Sequence, residues 1–195
     1  MKHIIRELQD QNEVVLASKI KKVLATETPK EWKKEFPQIK SWGNDMTPEY
    51  LEEKFPWFLK AKVKDAELEY YYDGRGQQGH YLVWHNGTWI NGTWKDGTWL
   101  NGTWKNGLWI NGTWQEGTWK GGTWRDGIWL TGTWKDGVWK GGLWEDGIWE
   151  DGTWENGAWE GGTWKKGDWK GGKLWDKDIG KMIRSKTPPL FLRLR

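Results

Sequence analysis

Side chains able to do chemistry are unevenly spread along this chain of 195 residues. It holds 22 tryptophans, and from Trp84 through Trp169 one recurs at every fifth position. Exposed indoles stack on sugar rings and nucleobases, whereas buried ones build a core, so such a series is either a binding surface or an interior. Carboxylates are plentiful, among them Glu145, Asp146, Glu150, Glu155 and Glu160. They fall at outward repeat positions, where solvent leaves no acid or base tuned for catalysis. Of the three histidines, His3 lies near the terminus, and His80 and His85 form a pair with no fixed third ligand for a metal. The stretch "DGRGQQG" lacks both the Lys-Ser/Thr and the following helix of a phosphate-binding loop. Without cysteine there is no thiolate chemistry and no disulfide. The expectation is a protein that is not an enzyme and takes no cofactor or metal.

The elements that position these residues follow from the repeat. Gly recurs at the same five-residue step from Gly87 through Gly172, giving a unit G-[T/aliphatic]-W-x-[N/D/G]. It breaks at "GGKLWDKD", where Trp175 arrives one residue late. Ahead of it, "IIRELQ" and "EVVLASKIKKVLA" carry apolar residues at helical spacing. "TPKEWKKEFP" and "TPEYLEEKFP" each open on a Thr-Pro helix start, with Thr28 and Thr47 as N-caps, and close on Phe-Pro. "AELEYYYDGRGQQGHYLVW" reads as strand, Gly-rich turn, strand. The chain therefore divides into a helical amino-terminal region (1–65), a β connector or cap (66–83), the Trp repeat (84–172), and a carboxy-terminal cap with a basic, apolar tail (173–195).

Two architectures fit a five-residue unit. In a meander each Asx-Gly is a hairpin turn; in a solenoid it turns the corner of a coil. Alternation within the unit turns Trp inward with the Gly two before it, a large residue beside one without a side chain. Outward apolar residues recur at twenty: Ile90, Ile110 and Leu130 after Trp, and Leu108, Ile128 and Ile148 after Gly. A coil of four sides brings residues twenty apart onto one face. The expectation is a mainly β fold, a short four-sided β-solenoid with inward Trp ladders, of eighteen units and four and a half turns, roughly 22 Å long at a coil spacing of about 4.8 Å.

The unit resembles that of the pentapeptide-repeat proteins, right-handed quadrilateral β-helices whose motif turns a small residue and a Leu or Phe inward, two positions apart. Here Gly stands for the small residue and Trp for the large one, as in Gly92-Thr93-Trp94-Lys95-Asp96. The resemblance covers about Trp84 to Gly172, and the family's usual Ala-Asp/Asn-Leu wording is absent. Some members of that family are acidic DNA mimics that bind topoisomerases; the basic early units and positive net charge argue against that role here. A weaker resemblance is to MORN repeats, whose "GxWxxG" hairpins are similar to "GTWKNG".

On this reading Ile90, Leu108, Ile110, Ile128, Leu130 and Ile148 line one apolar outer face, covered by the protein's own amino-terminal helices or tail, or by a partner. Charge runs from Lys95, Lys105, Lys120, Arg125, Lys135 and Lys140 in early units to Glu145, Glu150, Glu155 and Glu160 in later ones. A net charge of +3 and a pI near 8.9 are too mild to indicate nucleic acid. The first residues lack the apolar core of a secretory signal, and no run is long enough to cross a membrane. The expected location is the cytoplasm or a virion. The function expected is a non-catalytic structural or protein-interaction role, with a protein partner or self-association, in a phage or bacterial accessory protein or virion component. The competing expectation is a carbohydrate-binding module using exposed tryptophans.

Overall fold

The computed structural model describes residues 36–43, 46–72 and 80–189, with Trp42 described by its backbone alone. The chain divides into two units, 1–37 and 38–195. The helices expected from "IIRELQ", "EVVLASKIKKVLA" and "TPKEWKKEFP" lie outside the described residues, as does the tail from Leu190.

The larger unit opens with strand β1 (Ile39–Trp42), helix α1 (Pro48–Lys54), a 3-10 turn at Phe58–Lys60, and strands β2 (Lys62–Tyr72) and β3 (His80–Asn91). Helix α1 starts as its sequence requires: Thr47 Oγ1 accepts a hydrogen bond from Tyr50 N at 3.2 Å, and Pro48 occupies the first turn. It stops at Phe55, ahead of Pro56. Strands β2 and β3 are antiparallel, as the strand–turn–strand pattern predicts, and β1 joins β2 in parallel. Residues 38–65 are thus partly strand, where the sequence suggested only helix.

From β3 onward the chain coils. Strands β4 (Thr93–Trp94), β5 (Gly97–Trp99) and the two-residue strands β6 (Thr103–Trp104) to β19 (Asp168–Trp169) each end on a repeat tryptophan. Each pairs in parallel with a strand fifteen residues away: Trp84 with Trp99, Trp89 with Trp104, Trp94 with Trp109. The expected solenoid with inward Trp ladders is present, but its coil has three sides rather than four. Eighteen units therefore make six turns and rise about 29 Å at the usual strand spacing. The parallel pairing also excludes the hairpin meander and the MORN-like arrangement. The twenty-residue recurrence of apolar residues corresponds to no contact between coils.

Indole geometry explains the count of sides. Each Trp stacks on the Trp fifteen residues away at 4.7–5.1 Å, with planes within 4–7°. Each also meets the next Trp in sequence edge-to-face at 5.6–6.1 Å and 69–82°. Both are favourable geometries for quadrupolar rings. Three indoles per turn fill the cross-section: Trp84 through Trp154 are 0% exposed. A fourth side would enlarge the perimeter without supplying enough indole to close the centre.

Every corner ends on a glycine, and most are Asx-Gly pairs. Asn101 Oδ1 accepts from Gly102 N at 2.6 Å, and the Asp equivalents, such as Asp136 with Gly137 N at 2.7 Å, do the same. The glycine is needed for conformation and for the approach of successive coils, and not as a volume partner for Trp as the alternation suggested. Gly107 has φ +124°, and a Cβ there would lie 2.2 Å from the carbonyl oxygen of Gly92 in the coil before. Between coils the N–H after each Trp donates to the carbonyl of the Trp one coil earlier, as Lys120 N to Trp104 O at 2.7 Å.

The two ends differ. At the first coil β2 runs along β3, Trp57 meets Trp94 edge-on at 5.2 Å, and Phe58 lies 6.0 Å from Trp89. At the last, β20 (Gly172–Asp176) continues one side and turns back as β21 (Lys181–Ser185). The late tryptophan of "GGKLWDKD" is accounted for: Leu174 takes the register position opposite Trp159, which leaves Trp175 42% exposed. Strands β18 (Thr163–Trp164) and β19 have no strand partner on their far edge among the described residues.

Candidate functional site

With the indoles enclosed, the outer rows are what the solenoid offers to other molecules. Each side presents the residue before and the residue after each Trp, repeated coil by coil. On the first side Val83, Thr98, Thr113, Ile128, Leu143 and Ala158 stand in register before the indoles. His85, Leu100, Gln115, Leu130, Glu145 and Glu160 follow them. The second side carries Thr88, Thr103, Thr118, Thr133, Ile148 and Thr163 in register, with Lys105, Lys120, Lys135, Glu150 and Lys165 beside them. The third carries Leu108, Val138, Asp168 and threonines, with Lys95, Ile110, Arg125, Lys140, Glu155 and Lys170.

The six residues expected to share one apolar face are therefore dispersed, two to each side. Ile90 and Ile148 lie on the second side four coils apart, Leu108 and Ile110 flank Trp109 on the third, and Ile128 and Leu130 flank Trp129 on the first. Only the last pair joins a larger apolar group. Ile128, 38% exposed, abuts Leu143, which abuts Ala158 in the next coil.

Charge also sorts by side, which the end-to-end reading of the sequence missed. The nine Lys and Arg residues between Trp84 and Gly171 all fall on the second and third sides and their corners. Within the repeat the first side has none, and with its corners holds Glu116, Glu145, Asp146 and Glu160; its first cation is Lys173 of β20, in register with Ala158. Reading outward residues at a step of fifteen, in place of twenty, would have exposed this vacancy. On the second side Glu150 lies between Lys135 (3.4 Å) and Lys165 (3.3 Å), and the hydrogen bond from Lys165 holds its carboxyl below the usual range. Lys166 does the same for Asp151 at 2.8 Å. These pairs are solvated and individually weak.

A second cluster sits beside the first coil. Tyr50 Oη is hydrogen-bonded to His80 Nδ1, Tyr70 lies 4.4 Å from Tyr50 ring to ring, and Tyr72 stacks on His80 at 4.6 Å. Burial first, then the neighbouring Tyr70, pushes the Tyr50 phenol up to about 12. His85 instead turns to Glu69, Nε2 to Oε2 at 2.9 Å. The two histidines thus have separate partners, and no group of three His, Cys, Asp or Glu among the described residues is placed to hold a metal ion.

The carbohydrate-binding alternative required outward indoles, and the repeat indoles from Trp84 through Trp164 are buried. No helix among the described residues is long and apolar enough to cross a membrane. No protein-family model, no curated protein and no solved structure matches this chain. The regular parallel β-solenoid with five-residue strand units is consistent with a pentapeptide-repeat-like fold, in a three-sided form.

Proposed function

We propose that this protein is a non-catalytic structural and interaction protein, a rigid prism that docks a partner on its first side. The observation that carries the proposal is the segregation of charge and apolar surface. The nine cations of the repeat units avoid the one side where Ile128, Leu130, Leu143 and Ala158 come together, and only Lys173 of the capping strand, beside Ala158, borders it. Beside that patch stand Glu145, Asp146 and Glu160. A surface of this kind fits a segment presenting apolar side chains flanked by Lys or Arg, since apolar burial supplies affinity and the carboxylates supply orientation. The enclosed indoles make the platform stiff, which suits a spacer in a larger particle such as a virion or a bacterial accessory complex.

The test compares the wild type with two variants, each carrying two surface substitutions that alter charge. Ile128→Lys with Leu143→Lys alters the first side, and Lys105→Glu with Lys120→Glu alters the second. Each is immobilised and used to capture proteins from the native host's extract, with folding verified by far-UV circular dichroism. A partner retained by the wild type and the second-side variant, and lost by the first-side variant, supports the assignment. Retention by the first-side variant removes it.

A further inference from the structure

Nothing in the docking role requires the interior to be pure tryptophan, and the interior has properties beyond filling space. Its indoles form three unbroken columns with centroids 4.7–5.1 Å apart, each column touching its neighbours edge-to-face at every step. Fourteen of the buried Nε1–H groups have no hydrogen-bond acceptor. Such groups are uncommon in folded proteins and call for an explanation. An indole that loses one electron becomes a strong N–H acid, and in water it is trapped by losing that proton. At those fourteen rings the proton has no acceptor, and at Trp144 it meets only a backbone carbonyl, Gly161 O at 3.1 Å, so the positive charge is free to pass to the next ring.

Both ends of the columns reach groups that could inject or trap charge. At the last coil Trp169 is half-buried, stacked on Trp154 at 5.1 Å, and donates Nε1–H to Ser185 O at 3.2 Å. At the first coil Trp57 meets Trp94 at 5.2 Å. Phe55 then bridges Trp57 (6.3 Å) and Tyr50 (6.2 Å), and Tyr50 is hydrogen-bonded to His80. Tyrosine gives up an electron at moderate potential only if its proton leaves with it, and here an acceptor is already in hydrogen-bond contact. Burial keeps this phenol protonated across the physiological range, so the paired proton transfer is required.

The geometry points to a second function: the stacked indoles carry an electron hole along the solenoid and deliver it to Tyr50, whose phenolic proton passes to His80. An outer-sphere one-electron oxidant takes an electron from Trp169 and is itself reduced, leaving an indole radical cation. Neighbouring indoles refill the vacancy in turn, with no bond made or broken. At the far end Tyr50 supplies the electron that restores the last indole, its O–H bond breaks, and the proton moves to Nδ1 in the tautomer that leaves that atom bare. The products are a phenoxyl radical, an imidazolium, an intact stack and the reduced oxidant. This inference is independent of the docking surface.

The absence of cysteine allows a photo-oxidant to be placed at one site. Lys170→Cys, exposed beside Trp169, is labelled with a ruthenium(II) polypyridyl complex on the otherwise unchanged full chain. A laser flash in the presence of a cobalt(III) ammine quencher generates ruthenium(III), and transient absorption with electron paramagnetic resonance follows the radicals. The expected result is an indole radical cation that decays as a phenoxyl radical appears. In Tyr50→Phe the phenoxyl signal is lost and the indole cation lives longer; in His80→Gln the phenoxyl forms more slowly. A phenoxyl yield unchanged in Tyr50→Phe, or a deprotonated indolyl radical persisting without any phenoxyl, would overturn the inference. Circular dichroism confirms that each variant remains folded.

Discussion

Replacing Trp124 by Ala tests whether the indole columns, and not the backbone ladder alone, hold the solenoid together. Trp124 is fully enclosed, stacks on Trp109 at 4.7 Å and Trp139 at 4.9 Å, and meets Trp119 and Trp129 edge-on at 6.0 Å. Truncating a buried Trp to Ala costs about 3–5 kcal/mol. Four ring contacts, each worth about 0.5–1.5 kcal/mol beyond area, put this site at the upper end, roughly 5 kcal/mol. Trp169 is the comparison: half-buried, with one stacked and one edge-on neighbour, its truncation is expected to cost roughly 2 kcal/mol. Guanidinium unfolding followed by far-UV circular dichroism reads the difference, since the loss at Trp124 corresponds to a midpoint shift of about 1 M. Because coils can unfold piecemeal, the slope must be compared as well as the midpoint. Equal costs at the two sites, or a cost at Trp124 below about 2 kcal/mol, would refute the reasoning that stacked indoles dominate the core.

Corner glycines divide into two classes. Gly107→Ala is expected to destabilise by several kcal/mol because of its positive φ and the contact with Gly92 O, whereas Gly121→Ala, with no atom nearer than 3.5 Å, should be neutral or stabilising by about 0.4–1 kcal/mol in thermal melts. Tyr50 has a folded pKa raised to about 12, so its contribution to stability is complete below the ordinary tyrosine value and is lost as pH rises through about 12. An alkaline absorbance titration should show one late phenol that disappears in Tyr50→Phe. Glu150→Gln removes both ion pairs yet should barely shift the same melts, and less still in high salt. Tryptophan emission of the native protein should be blue-shifted and barely quenched by iodide, with a minor accessible fraction that falls in Trp175→Phe.

Much of this fold was legible because the controlling features are local. The Thr47-Pro48 start of α1, the antiparallel pair β2 and β3, the Asx-Gly corner and the inward Trp each depend on residues close in sequence. The number of sides does not. Every side is built on the same five-residue pattern, so local sequence is silent on how many are needed to close a turn. Closure is decided by how indoles fill the cross-section, a property of three units together. The apolar residues at a step of twenty, Ile90, Ile110 and Leu130, suggested four sides without touching one another. Once the step was wrong the outer faces were wrong with it: the site residues were dispersed, and the partnership of Ile128 with Leu143 went unseen.

A coil of three identical units sets a quantum for insertion and deletion. Gain or loss of one unit anywhere in the repeat keeps every downstream indole in a column and every corner on a glycine, so the core tolerates it. It also rotates everything downstream by one side, bringing lysines into line with the patch around Leu143 and scattering the acidic row. Gain or loss of three units lengthens or shortens the prism by one turn and leaves each face continuous. Length and surface identity are therefore separately heritable in this architecture: slippage by one unit rewrites the faces, and slippage by three only changes the reach.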